Sequence, residues 1–344
     1  MAQRRPTSKD VAELAGVSRT TVSFVLNNVP GMRISQRTRQ RVQKAALRLN
    51  YHPDATARRM VSGRTHVIGF VLRQSADQTF ADFFLPQVLN GLFRGAAAQD
   101  YHVLFEPVAP DDKTGAYAAL LHERHVDGIV LSGPRTDDLE LERMYAEGAP
   151  VLLMGQLPQS RIPFVDVDNV GGAELATRHL LNLGHRRVAL ITNAPLAYTG
   201  SADRMKGYRR ALAKAAIRFD PALVRYGNFT PQSGYVAMQA LLEVRPRPTA
   251  VFAASDTVAF GALHAIRECG FRIPQEMAVV GFDDVPLAEF VDPPLTTLRL
   301  PAFQIGENAA NALIGLIAKE RANHPQMLLK TELIIRESCG AHLR

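Results

Sequence analysis

Cysteine is scarce in this chain: only Cys269 and Cys339 occur among 344 residues. Two cysteines far from each other in sequence make no disulfide framework, and the fold has to rest on its apolar core. No apolar run reaches the 18 or so residues that a membrane-spanning helix needs. The amino-terminal MAQRRPTSKD also lacks the apolar stretch of a secretion signal. The expectation is a cytoplasmic protein with no membrane partner. Chemistry-bearing motifs are equally sparse. There is no Gly-rich phosphate loop and no Ser/Cys–His–Asp arrangement with a recognisable local sequence, which argues against an enzyme. His122 and His125 lie three apart on an expected helix, but no third metal ligand accompanies them. Cys269 precedes a glycine at an expected helix end and is read as a buried residue.

Acids are nearly absent from one end. The first 64 residues hold 13 of the 40 Lys and Arg but only three of the 33 acids, Asp10, Glu13 and Asp54. That segment therefore carries +10, while the other 280 residues carry −3. A basic head on a slightly acidic body suits binding a polyanion through one end, with an affinity that falls as salt rises. Hydrophobic residues make up 47% of the chain and charged ones 21%, the balance of a folded globular protein.

The segment from Ser8 to Asn27, SKDVAELAGVSRTTVSFVLN, reads as two short helices joined by a tight turn. Val11, Ala12, Ala15, Val17, Val22 and Val25 carry the apolar spacing of a packed pair. Gly16 falls where the backbone must turn. Ser18 is placed to cap the second helix through the free N–H of residue 20 or 21. Arg19, Thr20 and Ser23 then lie on its outer face, where a DNA-reading helix presents side chains to the major groove. A third helix is expected from Ser35 to Leu49, ended by Asn50-Tyr51-His52-Pro53. A short segment after Asp54, ATARRMVS, could form another helix but is too short to persist alone in water.

From Thr65 onward strands and amphipathic helices alternate. Strands are expected at 66–72, 102–107, 127–133, 150–155, 188–192, 250–255, 278–284 and 328–336. Helical runs such as 86–99, 170–183, 204–216 and 233–244 lie between them. Such alternation argues for an α/β core of doubly wound parallel sheets, with ligands bound at the carboxyl ends of the strands.

Taken in order, several segments resemble the LacI/GalR family of transcriptional regulators, including its lactose- and purine-responsive members. They are DVAELAGVSRTTVSFVLN (10–27), LRLNYHPDATARRM (47–60), DNVGGAELATRHLLNLGHRRVALIT (168–192), RMKGYRRAL (204–212) and the long run from AVFAASD at 250 to LRLP at 301. The stretch GNFTPQSGYVAMQ (227–239) is similar to the purine-responsive members. The resemblance implies a helix-turn-helix domain at 1–52, a hinge helix and linker at 53–64, and an effector-binding core at 65–344. That core is expected to have two lobes like a periplasmic sugar-binding protein, about 65–162 with 296–326 and about 163–295 with 327–344. It also implies a homodimer on near-palindromic double-stranded DNA. The chain ends soon after LIIRESCG without a heptad tail, so a tetramer built on a C-terminal bundle is not expected.

Carried over residue by residue, the resemblance gives two sites. The DNA site takes in Thr7, Ser18, Arg19, Thr20, Thr21, Ser23, Phe24, Asn27 and Tyr51, with Ala57 and Met60 entering the minor groove. Arg19 and Thr20 match the base-reading positions. Phe24 departs from the arginine common there; its ring either meets a thymine methyl or packs on the head. Met60 replaces the usual leucine wedge, which can still part a base step by shape and desolvation. The effector site takes in Phe83, Phe84, Tyr198, Arg204, Phe229, Ser255, Asp256 and Asp283. For Arg204, Asp283 and Asp256 the alternative is a salt bridge between elements, and for the phenylalanines it is core packing. Tyr198 stands where purine-responsive members have an arginine, which counts against a purine. Aromatic faces with an Arg–Asp pair favour a sugar or sugar derivative, and no cofactor or metal is expected. The rival reading is a sugar-binding or sugar-metabolising protein without operator function.

Overall fold

A computed structural model of the chain describes residues 6–27, 31–51, 63–112, 115–319 and 326–343. The chain divides into two compact units, Met1–Thr65 and His66–Arg344.

In the first unit, helices α1 (Ser8–Ala15), α2 (Arg19–Leu26) and α3 (Gln36–Arg48) enclose a small core. Val11, Ala12, Ala15, Val22, Val25, Val42, Ala45 and Ala46 are buried there, with Val17, Leu26, Ile34, Leu49 and Tyr51 packed against them. Each start is capped. Thr7 and Asp10 form a reciprocal capping box on α1. The Ser18 hydroxyl accepts from the Thr21 N–H at 3.1 Å, and Ser35 accepts from Thr38 at 3.2 Å. Gly16 ends α1 with φ of 62°, a left-handed conformation that a side chain would disfavour.

The second unit has two lobes. Lobe 1 is built on a six-stranded parallel sheet of β1 (Val67–Leu72), β2 (His102–Pro107), β3 (Gly128–Ser132), β4 (Val151–Met154), β5 (Phe164–Val167) and β11 (Gln326–Leu329), in the order β11-β5-β4-β3-β1-β2. Its helices are α4 (Ala76–Ala81), α5 (Leu85–Ala97), α6 (Ala116–His122), α7 (Leu139–Ala146) and α12 (Ala302–Ala318). Lobe 2 has a four-stranded parallel sheet, β7 (Val224–Tyr226), β6 (Val188–Thr192), β8 (Ala250–Ala253) and β9 (Ala278–Val280) in that spatial order. Around it lie α8 (Asn169–Asn182), α9 (Thr199–Lys214), α10 (Pro231–Leu242) and α11 (Asp256–Glu268). An antiparallel pair, β10 (Thr297–Arg299) with β12 (Glu332–Ile334), lies near the crossings between the lobes. Strands covered on both faces need no polar side, hence β3, β4, β6 and β8 are nearly continuous apolar runs.

Two differences from the sequence reading follow from pairing. The strand Phe164–Val167 and the strand Gln326–Leu329 belong to lobe 1, because β5 pairs with β4 and β11 pairs with β5. The lobe boundary therefore comes after Val167 and after Leu329, later than residues 162 and 326. The run expected as one strand at 328–336 is two strands in different sheets, broken at Lys330 and Thr331. Cys269 also departs from expectation: as the C-cap of α11 it points to solvent and is exposed. The segment 54–61, with Ala57 and Met60, lies outside the described residues.

Helices α5 and α12 pack at backbone distance. A Cβ on Gly91 would sit 1.9 Å from the Phe303 carbonyl oxygen, and one on Gly306 would sit 2.0 Å from that of Val88. Only glycine fits at this crossing.

Candidate functional site

In the first unit, most of the expected DNA-reading residues lie along α2, from its N-cap Ser18 to its C-cap Asn27. Ser18, Arg19 and Thr20 are exposed, and Thr21, Ser23, Phe24 and Asn27 are half-buried. Thr21 is tied to Ser18 through its own hydroxyl as well as its N–H, at 2.9 Å. Asn27 donates to Ser23 Oγ at 3.2 Å. Arg19 and Thr20 therefore stand clear on the first turn of a capped helix, while their neighbours brace it. Phe24 is not among the side chains packed into the head's core. Tyr51 is, so its ring braces the head; Thr7 is exposed and caps α1.

In the second unit, a cleft opens between the lobes, enclosing about 1000 Å³ including its mouth. Its walls come from the ends of strands, as parallel sheets dictate. After β1 lie Gln74, Asp82 and Phe84; after β3, Ser132 to Pro134; after β4, Gly155; and β5 contributes Asp166. Lobe 2 adds Asn193 after β6, Tyr198 to Ser201 and Arg204 on α9, Phe229 after β7, Ser255 and Thr257 after β8, and Asp283 after β9.

Arg204 is the polar hub. Its Nε donates to Asn169 Oδ1 at 2.9 Å and its NH1 to the Ala254 carbonyl. Its guanidinium lies 3.9 Å from the Phe282 ring centroid, and NH1 is 3.8 Å from Asp283 Oδ1. Burial disfavours the charged form of Arg204, while Asp283, Asp166, Asp82 and Asp256 around it oppose that effect. Burial likewise pushes the Asp82 carboxyl up to about 6, against the Phe84 N–H and the Arg204 charge, which pull it down. Asp283 is held well above the usual carboxylate range by burial, and Arg204 offsets only part of that. Asp166 is raised by burial too, although Gln156, Val167 and Asn169 donate to it.

The backbone at Asp283 is unusual, with φ of 128°. Its N–H donates to Leu298 at 2.7 Å, and its carbonyl accepts from Leu300 at 3.2 Å. A non-glycine residue in that region persists only where its surroundings fix it. Asp283 is thus presented from a loop stitched to a crossing segment.

The lobes touch on both rims. The Tyr198 hydroxyl donates to the Arg73 carbonyl, and Thr136 N–H to Ala197 at 2.9 Å. On the other rim Gln78 donates to Asn228 at 2.7 Å.

Of the eight expected effector residues, the structure brings six to the cleft: Phe84, Tyr198, Arg204, Phe229, Ser255 and Asp283. Two fall elsewhere. Phe83 turns away, its ring edge-on to Phe260 at 5.7 Å. Asp256 lies behind the cleft, fully buried, because Thr297 and the Val285 N–H take its oxygens at 2.6 and 3.0 Å. Gln74, Asp82, Asp166, Asn169 and Asn193 were not foreseen; Asp166 lies on β5, Asn169 starts α8 and the others follow β1, α4 and β6, and only the topology reveals their convergence. Among the described residues no cluster of His, Cys, Asp and Glu could hold a metal ion, and no helix is long and apolar enough to cross a membrane.

Comparison with known proteins adds to this geometry. Residues 7–54 match the description "Bacterial regulatory proteins, lacI family", and residues 177–339 match a periplasmic binding protein-like domain. The HTH-type transcriptional regulator CelR of Thermobifida fusca is 35% identical over 339 residues, covering 98% of this chain and 99% of the relative. A solved complex of transcriptional regulator CelR with cellobiose superposes with a TM-score of 0.74 at 34% identity, covering 97% of this chain and all of that one. The lac repressor dimer bound to operator and the anti-inducer ONPF gives a TM-score of 0.85 at 28% identity, covering 98% of this chain and 99% of that one.

Proposed function

Since the chain belongs to the lacI family of bacterial regulatory proteins and is a DNA-binding transcriptional regulator, we propose that a sugar effector controls it, that this effector binds in the inter-lobe cleft, and that Arg19 and Thr20 read the operator. The observation that carries the cleft assignment is that Arg204 and Asp283, 3.8 Å apart, line the same cleft as the rings of Phe84 and Phe229. Aromatic rings cover the C–H faces of a sugar, while fixed charged groups select the orientation of its hydroxyls. The cellobiose bound by CelR supports a carbohydrate of this class.

The regulator acts in the cytoplasm as a two-fold dimer on a near-palindromic operator, each head reading one half-site. Arg19 is suited to a bidentate contact with guanine. The segment 53–64, with Ala57 and Met60, couples the effector to the operator. By linkage, DNA must change effector affinity by the same factor that effector changes DNA affinity. Purified protein tests this: genomic fragments that bind it specifically should be released or retained more tightly when a sugar that binds the cleft is added. Turnover of any sugar in the panel would favour the rival, metabolic reading.

A further inference from the structure

The polar lining of the cleft is divided unevenly between donors and acceptors. Asp82 and Asp166 come from lobe 1 and Asp283 from lobe 2, and among the described lining residues Arg204 is the one Lys or Arg. Arg204 is already engaged by Asn169 and the Ala254 carbonyl. Its 3.8 Å separation from Asp283 is too long for a hydrogen bond. Asp166 already accepts three hydrogen bonds, from Gln156, Val167 and Asn169. Asp82 accepts from the Phe84 N–H through Oδ1 at 2.9 Å.

A second observation is independent of the acids. Gln74, only 4% exposed, lines the cleft with its side-chain carbonyl oxygen buried and without a hydrogen-bond partner, and Asn193 Oδ1 is in the same condition. A buried acceptor left unmade carries a desolvation penalty that a ligand donor would remove. The cleft asks its occupant for hydrogens.

Resting on the reading of a carbohydrate effector, we infer that the effector carries a protonated amino group, as in an amino sugar, seated between Asp82 of lobe 1 and Asp283 of lobe 2. An ammonium group brings three N–H donors and a positive charge to one centre, where a hydroxyl brings one donor and no charge. It answers the excess of carboxylates, while the remaining hydroxyls reach the carbonyls of Gln74 and Asn193. A sugar acid or sugar phosphate would set acceptors against acceptors and add negative charge to an acidic site. Because the two carboxylates belong to different lobes, a cation between them also favours the closed cleft. Such a cation favours the ionised form of Asp82 and Asp283, against the burial that raises both carboxyls.

The experiment is calorimetric titration of the full-length protein at neutral pH. The probes are D-glucosamine, D-galactosamine and D-mannosamine, their parent hexoses, their N-acetyl derivatives, the matching uronic acids, and cellobiose. At least one amino sugar should bind about tenfold or more tightly than its parent. N-acetylation, which removes the charge, should abolish that gain, and the uronic acids should not bind. Asp82→Asn should bring the ratio of amine to parent close to one, with its thermal midpoint checked against wild type; if that variant does not fold, the wild-type ratio decides alone. Binding of parent hexoses or cellobiose at least as tight as any amino sugar would overturn the inference and leave the carbohydrate reading standing. Failure of every sugar to bind would reject both.

Discussion

Thr297, on the segment that crosses between the lobes, donates a 2.6 Å hydrogen bond to Asp256, a side chain fully buried at the start of α11. The other Asp256 oxygen accepts from the Val285 N–H at 3.0 Å, two residues beyond Asp283. The loop that presents Asp283 to the cleft is therefore held by a carboxylate behind it, and that carboxylate is held by the crossing strand. Asp284 extends the link, accepting from Arg299 at 2.7 Å and from Arg336 at 2.8 Å. The cleft wall at Asp283 and the inter-lobe geometry share these atoms. Thr297→Val would leave a buried carboxylate oxygen without its partner, at a cost of roughly 1–3 kcal/mol. Chemical denaturation should register that loss. Calorimetry should show weaker effector binding although Thr297 does not line the cleft.

Arg19 is exposed on the first turn of α2. Arg19→Ala should lower specific operator affinity by roughly 1–3 kcal/mol and relax base preference at one position. Effector binding, measured separately by calorimetry, should stay unchanged. Loss of both activities together would contradict the modular assignment.

Protons should oppose the effector. Asp82 and Asp256 are each raised by burial to about 6, so the folded state binds more protons than the unfolded one between pH 4 and 6. Stability of the ligand-free protein should therefore fall as pH rises through that window. An effector that donates to the Asp82 carboxylate favours its ionised form, so effector affinity should rise over the same window. Thermal melts with and without ligand, taken from pH 4 to pH 7, would reveal a ligand-induced stabilisation that grows with pH up to about 6 and then levels off.

Tyr198 ties the rims together through its hydroxyl and the Arg73 carbonyl. Tyr198→Phe keeps the ring against Phe229, 4.9 Å away, and removes the link to Arg73 together with the hydroxyl's hydrogen bond with Arg135. A net hydrogen bond contributes about 0.5–1.5 kcal/mol, so effector affinity should fall roughly two- to tenfold. Operator binding without effector should be nearly unaffected. A change in the opposite sense would mean that the rim contact opposes closure.

Much of this architecture was legible from residue patterns. The caps at Ser18 and Ser35 and the left-handed Gly16 follow from local chemistry, which acts within a few residues. The long apolar strands were equally plain. Phe164–Val167 was missed because it is four residues long and carries an acid, Asp166, amid its apolar positions. The run 328–336 read as one strand because its break, Lys330-Thr331, has neither glycine nor proline. In the cleft, Arg204, Asp283 and Phe229 were reached by resemblance. Asp82, Gln74 and Asn193 were not, since nothing in their local sequence marks them. They meet only because β1 and β6 end at the same crevice.

The central claim, that one chain grips operator DNA and adjusts that grip to a cleft-bound sugar, is tested most directly by Asp283→Ala in a DNA-binding assay. Wild-type protein should select specific genomic fragments at moderate ionic strength, and one or more of the sugars should shift that affinity. The variant should bind the same fragments in the absence of sugar and give no response when sugar is added. A variant that responds like wild type, or a wild-type protein that shows no fragment preference with or without sugar, would contradict the account.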